Sequence, residues 1–158
     1  MVQGSPGAGK TTVGLQFLLE GAAKGETVLF ISLSETEEEL TSGARSHGWS
    51  LDGIHIQVHA VANAPREDQT VFQAAEVDLP EMMAELFDGV DRVKPARVVV
   101  DSLSEFRLLA GAPHRYRREM MRLKQFFADC DCTVMLLDDR SLSRDSEGGF
   151  ELQSLAHG

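Results

Sequence analysis

Eight residues near the start of the chain leave little freedom for what it can fold into. Gly4-Ser5-Pro6-Gly7-Ala8-Gly9-Lys10-Thr11 satisfies G-x-x-x-x-G-K-[ST] at every fixed position. Glycines let the backbone curl so that successive N–H groups point inward at an anion with no side chain in the way. In such a loop the lysine reaches the outer phosphates and the hydroxyl after it ligates a magnesium ion, here Lys10 and Thr11. The pattern requires a strand running into the loop and a helix leaving it. The helix reads clearly from Lys10 to about Ala23, with Val13, Leu15, Phe17, Leu18 and Leu19 surrounding it with apolar surface. Only Met1, Val2 and Gln3 precede the loop, so the incoming strand reads as a stub.

Beyond the loop, strand-like runs alternate with helical patterns. Thr27 to Leu33 reads as a strand, and Thr36-Glu37-Glu38-Glu39 as a capping box opening a short helix that ends near His47-Gly48. Ile54 to His59 alternates, with Ile54, Ile56 and Val58 on one face. Residues 61 to 77 read as irregular. A helix follows from about Pro80 to Val93, carrying Met83, Leu86, Phe87 and Val90 on one face and closed by Pro95. Arg97 to Asp101 is a valine run ending in aspartate, the pattern of a strand buried on both faces. A helix over Arg115–Phe127 and a strand over Cys132–Asp138 come next. A Ser/Arg/Gly-rich loop from Ser141 to Gly149 then leads to an extended piece at Glu151–Leu155. This order predicts an α/β fold, a mainly parallel sheet with helices on both faces.

At 158 residues the chain is one domain in size, long enough for a continuous core. No apolar run nears the ~20 residues of a membrane span, which argues for a cytoplasmic protein that touches no membrane. Cys130 and Cys132 are too few and too close for a disulfide framework or a zinc site, in keeping with a reducing compartment. The net charge of −10 disfavours nucleic acid as a partner. Arg115, Arg117, Arg118, Arg122 and Lys124 read as the solvated face of a helix.

A second group must hold the magnesium shell from the end of another strand. Asp101 ends the valine run, and Asp138 ends the run Val134–Leu137; chain order and the Asp101-Ser102 pair favour Asp101. At this point a resemblance becomes specific. The loop, Gln16-Phe17-Leu18, and Val28-Leu29-Phe30-Ile31-Ser32 with its acidic turn resemble the RecA superfamily of P-loop ATPases. His47-Gly48-Trp49-Ser50-Leu51, Val99-Val100-Asp101-Ser102-Leu103 and Ser154-Leu155-Ala156-His157-Gly158 resemble its KaiC branch.

The resemblance covers 1–158 as a single RecA-like domain, which would begin inside its first strand and stop short of the family's last strands. It implies that ATP and Mg2+ are the ligands, with Gly4, Ser5, Pro6, Gly7, Ala8, Gly9, Lys10, Thr11 and Thr12 around the nucleotide and Thr11 and Asp101 on the metal. It places Asp138 where relatives carry a polar sensor of the γ-phosphate. It implies a homo-oligomeric ring with nucleotide between subunits; protein partners stay unnamed. Two adjacent glutamates activate water in KaiC-like domains, and Ser34 and Glu35 stand at those positions. With strand geometry carried that far, Ser34 would aim at the nucleotide and Glu35 away. The expectation is therefore a KaiC-like ATPase or autokinase with weak hydrolysis, or else a non-hydrolysing module that controls assembly or signalling.

Other residues read more plainly. Glu37, Glu38 and Glu39 suit a helix N-terminus. His55 and His59 lie about 13 Å apart along a strand and cannot share a metal ion. Trp49 reads as packing at the end of its helix.

Overall fold

Every described strand of the sheet runs in the same direction, because each strand but the last is followed by a helix that carries the chain back to the end where the strands start. The computed structural model describes residues 1–59 and 71–139, the side chains of residues 71–78 excepted. In chain order the elements are β1 (Val2–Gly4), α1 (Lys10–Ala23), β2 (Val28–Ser32), α2 (Glu37–Ser46), β3 (His55–Val58), α3 (Val71–Val93), β4 (Arg97–Asp101), α4 (Leu103–Ala110), α5 (Pro113–Asp129) and β5 (Thr133–Asp139). The strands lie side by side in the order β1-β5-β4-β2-β3. Register sets Ser32 beside Asp101, and Gly4 beside Asp139. The last residues of four strands therefore share one rim.

Alternation along the strands divides the core. Val28, Phe30, Val99 and Leu137 face α1 and α2, packing on Leu15, Leu18, Leu40 and Ala44. Leu29, Ile31, Leu33, Val98 and Val100 face the other layer, with Met83, Leu86 and Val90 of α3, Leu103 and Phe106 of α4, and Met120 and Leu123 of α5. Helices thus cover both faces of a parallel sheet. At the foot of β4, Arg97 bonds both carboxylate oxygens of Glu26 and the Phe17 carbonyl, and its guanidinium lies over the Phe17 ring. It ties α1 to the turn that feeds β2.

Several elements differ from the sequence expectation. α1 is buried on one side only: Gly14, Leu15, Leu18 and Gly21 face inward while Val13 is exposed. A Cβ on Gly14 would stand 3.0 Å from a Val99 methyl and 3.2 Å from Leu137, so glycine lets the helix settle close on β4 and β5. α3 begins at Val71 and carries Pro80 inside it, although proline usually starts a helix. Leu79, Met82, Met83, Leu86 and Val90 continue one buried face across Pro80, and that packing outweighs the hydrogen bond the proline lacks. α4 is absent from the sequence reading, yet Leu103, Phe106, Leu109 and Ala110 form its buried face and Gly111 ends it at φ 63°. β1 sits at an edge, paired with β5 alone among the described residues.

The capping box of α2 is complete: Thr36 Oγ1 accepts from the Glu39 amide, and the Glu39 carboxylate accepts from the Thr36 amide. Trp49 packs against the α1–α2 layer and stacks on His47. The His59 side chain is buried between Glu85, 3.2 Å from its Nδ1, and Gln57, while His55 is exposed. The Ser141–Gly149 loop, the extended piece at Glu151–Leu155 and Ser154–Gly158 lie outside the described residues, as do residues 61–70.

Candidate functional site

The glycine loop rises from β1 and closes into α1. Gly7 and Gly9 take φ of 77° and 82°, the left-handed region that a side chain disfavours. Ser5, Pro6, Gly7 and Ala8 form the exposed crest, Gly4 ends β1, and Thr11 and Thr12 are half-buried in the first turn of α1. Gly9 caps that helix without any side-chain bond, and the first turn holds no acidic residue. Its unpaired amides and the positive end of the dipole are therefore left for an external anion. Lys10 is 8% exposed and bends back over the loop, where its ammonium donates to the Ser5 carbonyl at 2.9 Å.

Strand parity brings the polar groups together. Asp101 follows Val99, and Asp139 follows Leu137, on the face that meets α1. The Thr11 hydroxyl donates to Asp101 Oδ2 at 2.6 Å, joining residues 90 positions apart in the chain. Asp101 is buried, and that burial pushes its carboxyl above the usual value; the Thr11 bond and Lys10 pull it down, and the charge of Asp139 pushes it up. The Asp101–Ser102 peptide is cis.

Asp139, rather than Asp138, meets Lys10. The ammonium lies 2.6 Å from Asp139 Oδ1, and Asp139 Oδ2 accepts from Ser104 at 3.1 Å and from Ser102 at 3.5 Å. Burial raises this carboxyl, but Lys10 and the two serines outweigh it and hold it below the usual range. Asp138 points to the opposite face. There it accepts from Gln3 Nε2 at 3.1 Å and from Arg107 at 3.2 Å, and the Arg107 guanidinium lies over the Tyr116 ring. Asp139, Ser104 and Glu105 are absent from the sequence reading. The available signal was the Asp138-Asp139 tandem, since adjacent strand residues face opposite ways and one of the two must face α1.

The acidic turn departs from strand geometry. β2 stops at Ser32, whose hydroxyl donates to the Glu35 carbonyl and accepts from the Glu35 amide, so residues 33–35 bend. Ser34 ends up exposed and Glu35 half-buried. Burial raises the Glu35 carboxyl, with further contributions from the charges of Asp101 and then Glu39. Glu105 is raised by burial and then by Asp139. Asp101 and Asp139 flank Lys10, with Glu35 feeling the charge of Asp101 and Glu105 that of Asp139.

The donor set suits a phosphate ester carrying a hard cation. A loop of inward amides and one lysine suits the phosphates. One hydroxyl and one carboxylate suit magnesium, which takes few protein oxygens and fills the rest of its shell with water and phosphate. Among the described residues, no group of three or more His, Cys, Asp or Glu side chains is placed to hold a metal by itself. Among the same residues no helix is long and apolar enough to cross a membrane.

Comparison with known proteins agrees with this arrangement. All of residues 1–158 match the family described as "ATPase: KaiC". A UPF0273 protein of Methanopyrus kandleri is 27% identical over 158 residues, covering 94% of this chain and 62% of the relative. The circadian clock protein KaiC3 of Synechocystis is 25% identical over 145 residues, covering 89% of this chain and 28% of the relative. The crystal structure of a KaiC-like protein from Pyrococcus horikoshii OT3 superposes with a TM-score of 0.69 at 24% identity, over 90% of this chain and 63% of that one, and shares its fold. The chain spans less than two thirds of the length of each of these proteins. With its parallel sheet, its glycine loop and a match along its whole length, the chain belongs to the KaiC family of RecA-like ATPases.

Proposed function

We propose that this domain binds ATP with magnesium in the loop Gly4–Thr12 and hydrolyses it, with Glu35 as the base that takes a proton from water. The observation that carries this reading is the 2.6 Å bond between Thr11 Oγ1 and Asp101 Oδ2, formed directly beside Lys10 at the rim where the strands end. Hydroxyl, carboxylate and ammonium meet there in the arrangement that phosphoryl transfer requires. The loop amides and the α1 N-terminus bind and orient the phosphates. Thr11 and Asp101 hold the metal, which when bound neutralises charge on the outer phosphates. Glu35 is supported as the base by its partial burial and raised carboxyl; Ser34, exposed, has no proton-accepting group at neutral pH. Asp138 is engaged by Arg107 and Gln3, so the polar group that senses the outermost phosphate is better sought in Asp139.

The test is equilibrium ATP binding and turnover of radiolabelled ATP, measured with and without Mg2+. Lys10→Ala should weaken ATP at least about tenfold, on the order of 1.4 kcal/mol, and Asp101→Asn should remove the magnesium dependence. Equal binding by wild type and Lys10→Ala would reject the site. A second reading, a non-hydrolysing switch module, draws on Ser34 standing where relatives carry an acid. Tight binding with no turnover, even in an assembled ring, would favour it.

A further inference from the structure

We infer that Ser32 is a positioning residue for the proposed base, its hydroxyl bonding both backbone groups of Glu35 and so aiming the Glu35 carboxylate. The inference rests on the reading of Glu35 as the base and adds the group that fixes where that base stands. Ser32 is the last residue of β2, 1% exposed, and lies beside Asp101 in register. Its Oγ donates to the Glu35 carbonyl at 2.6 Å and accepts from the Glu35 amide at 3.1 Å. One side chain thereby serves both the donor and the acceptor of a residue three positions on.

The flanks of the turn are anchored as well. Leu33, fully buried, donates its amide to the Asp101 carbonyl at 2.7 Å, and Thr36 opens α2 through its capping box with Glu39. Ser34 and Glu35 span the gap between these anchors, and the Ser32 hydroxyl decides how they bend. A strand continued past Ser32 would put Glu35 on the face of Leu33, toward α3 and α4. The bend leaves it half-buried instead, where its carboxylate feels the charge of Asp101. Without the hydroxyl, the Glu35 amide and carbonyl lose that partner and regain one by turning toward water, carrying the carboxylate with them. A base must stand within hydrogen-bond reach of the proton it takes, so a displacement of about 1 Å costs on the order of 10²-fold in rate. Ser32 acts only through Glu35, which makes it a positioning residue.

The experiment measures turnover of radiolabelled ATP with Mg2+ in wild type, Ser32→Ala, Ser32→Cys, Ser32→Thr, Glu35→Gln and the double variant Ser32→Ala/Glu35→Gln. Hydrogen exchange of the Glu35 amide is followed in the nucleotide-free proteins. Ser32→Ala should lower kcat about ten- to a hundredfold with KM held within about a factor of three, and its Glu35 amide should exchange faster. Ser32→Thr keeps the hydroxyl and should recover most of kcat together with slow exchange. Ser32→Cys, close in volume but a weak hydrogen-bonding group, should behave as Ser32→Ala does. In the Glu35→Gln background Ser32→Ala should cost nothing further, because the two residues act as one unit. Wild-type kcat in Ser32→Ala, or an undiminished extra loss on top of Glu35→Gln, overturns the inference and leaves Glu35 standing as the base. A loss in Ser32→Thr equal to that in Ser32→Ala overturns it too. Full activity in Glu35→Gln, or no turnover in wild type, removes the base and the inference with it. Should Ser32→Ala fail to fold, Ser32→Cys, which fills the same space, decides the matter.

Discussion

Asp138 and Asp139 differ by one backbone step, and that step sends one carboxylate to Arg107 and Gln3 and the other to Lys10. Glu35 shows the same sensitivity to local geometry. In a continuing strand it would turn from the loop; the bend after Ser32 instead leaves it within reach of the charge on Asp101. A base must be ionised to work, and burial holds this carboxyl above the usual glutamate range. Turnover should therefore rise with pH through a midpoint above the ordinary glutamate value, seen in kcat/KM because that ratio reports the free enzyme. Glu35→Gln should lower kcat by about 10²–10⁴ with ATP affinity retained. An acid limb at the ordinary glutamate value, or full activity in Glu35→Gln, would assign the proton elsewhere. Gly4–Thr11 and Asp101 were legible because motif and strand end are local patterns. Asp139 and the Glu35 bend were not, since the first depends on which sheet face meets α1 and the second on a single serine side chain bonding its own turn.

At the scale of elements, legibility followed the source of the stability. α2 begins where Thr36 and Glu39 reciprocally bond, a signal written in four residues. α3 runs through Pro80, since its buried face is set by partners on β2, α4 and α5 that no local window contains. α1 is the element on which the proposed function most depends, because its first turn is the proposed phosphate seat and Gly14 fixes its distance from the sheet. Gly14→Leu should push the helix off Val99 and Leu137 at a cost of about 1–3 kcal/mol. Thermal unfolding should record that loss, and ATP affinity should fall with it as the loop shifts. Wild-type affinity in this variant would mean that the loop holds its shape independently of the helix depth.

For the whole molecule, binding and folding are linked. A ligand that engages only the folded state stabilises it by about 2.7 kcal/mol at one hundred times its Kd. For a domain of this size that corresponds to a rise in Tm of about 5–10 °C. ATP with Mg2+ should produce such a rise in wild type, and Lys10→Ala and Asp101→Asn should both reduce it. A shift of equal size in all three would place the stabilising site elsewhere.

Parallel strands give the molecule two unlike poles. The polar groups gather where β1, β2, β4 and β5 end, while among the described residues the opposite pole holds the connections at Lys24–Thr27, His47–Ile54, Lys94–Ala96 and Cys130–Cys132. A tether or reporter joined at that far pole, for instance through the half-exposed thiol of Cys130, stands a full strand length from the phosphate loop. Immobilised that way, the domain turns the rim where its strands end outward, toward nucleotide in solution.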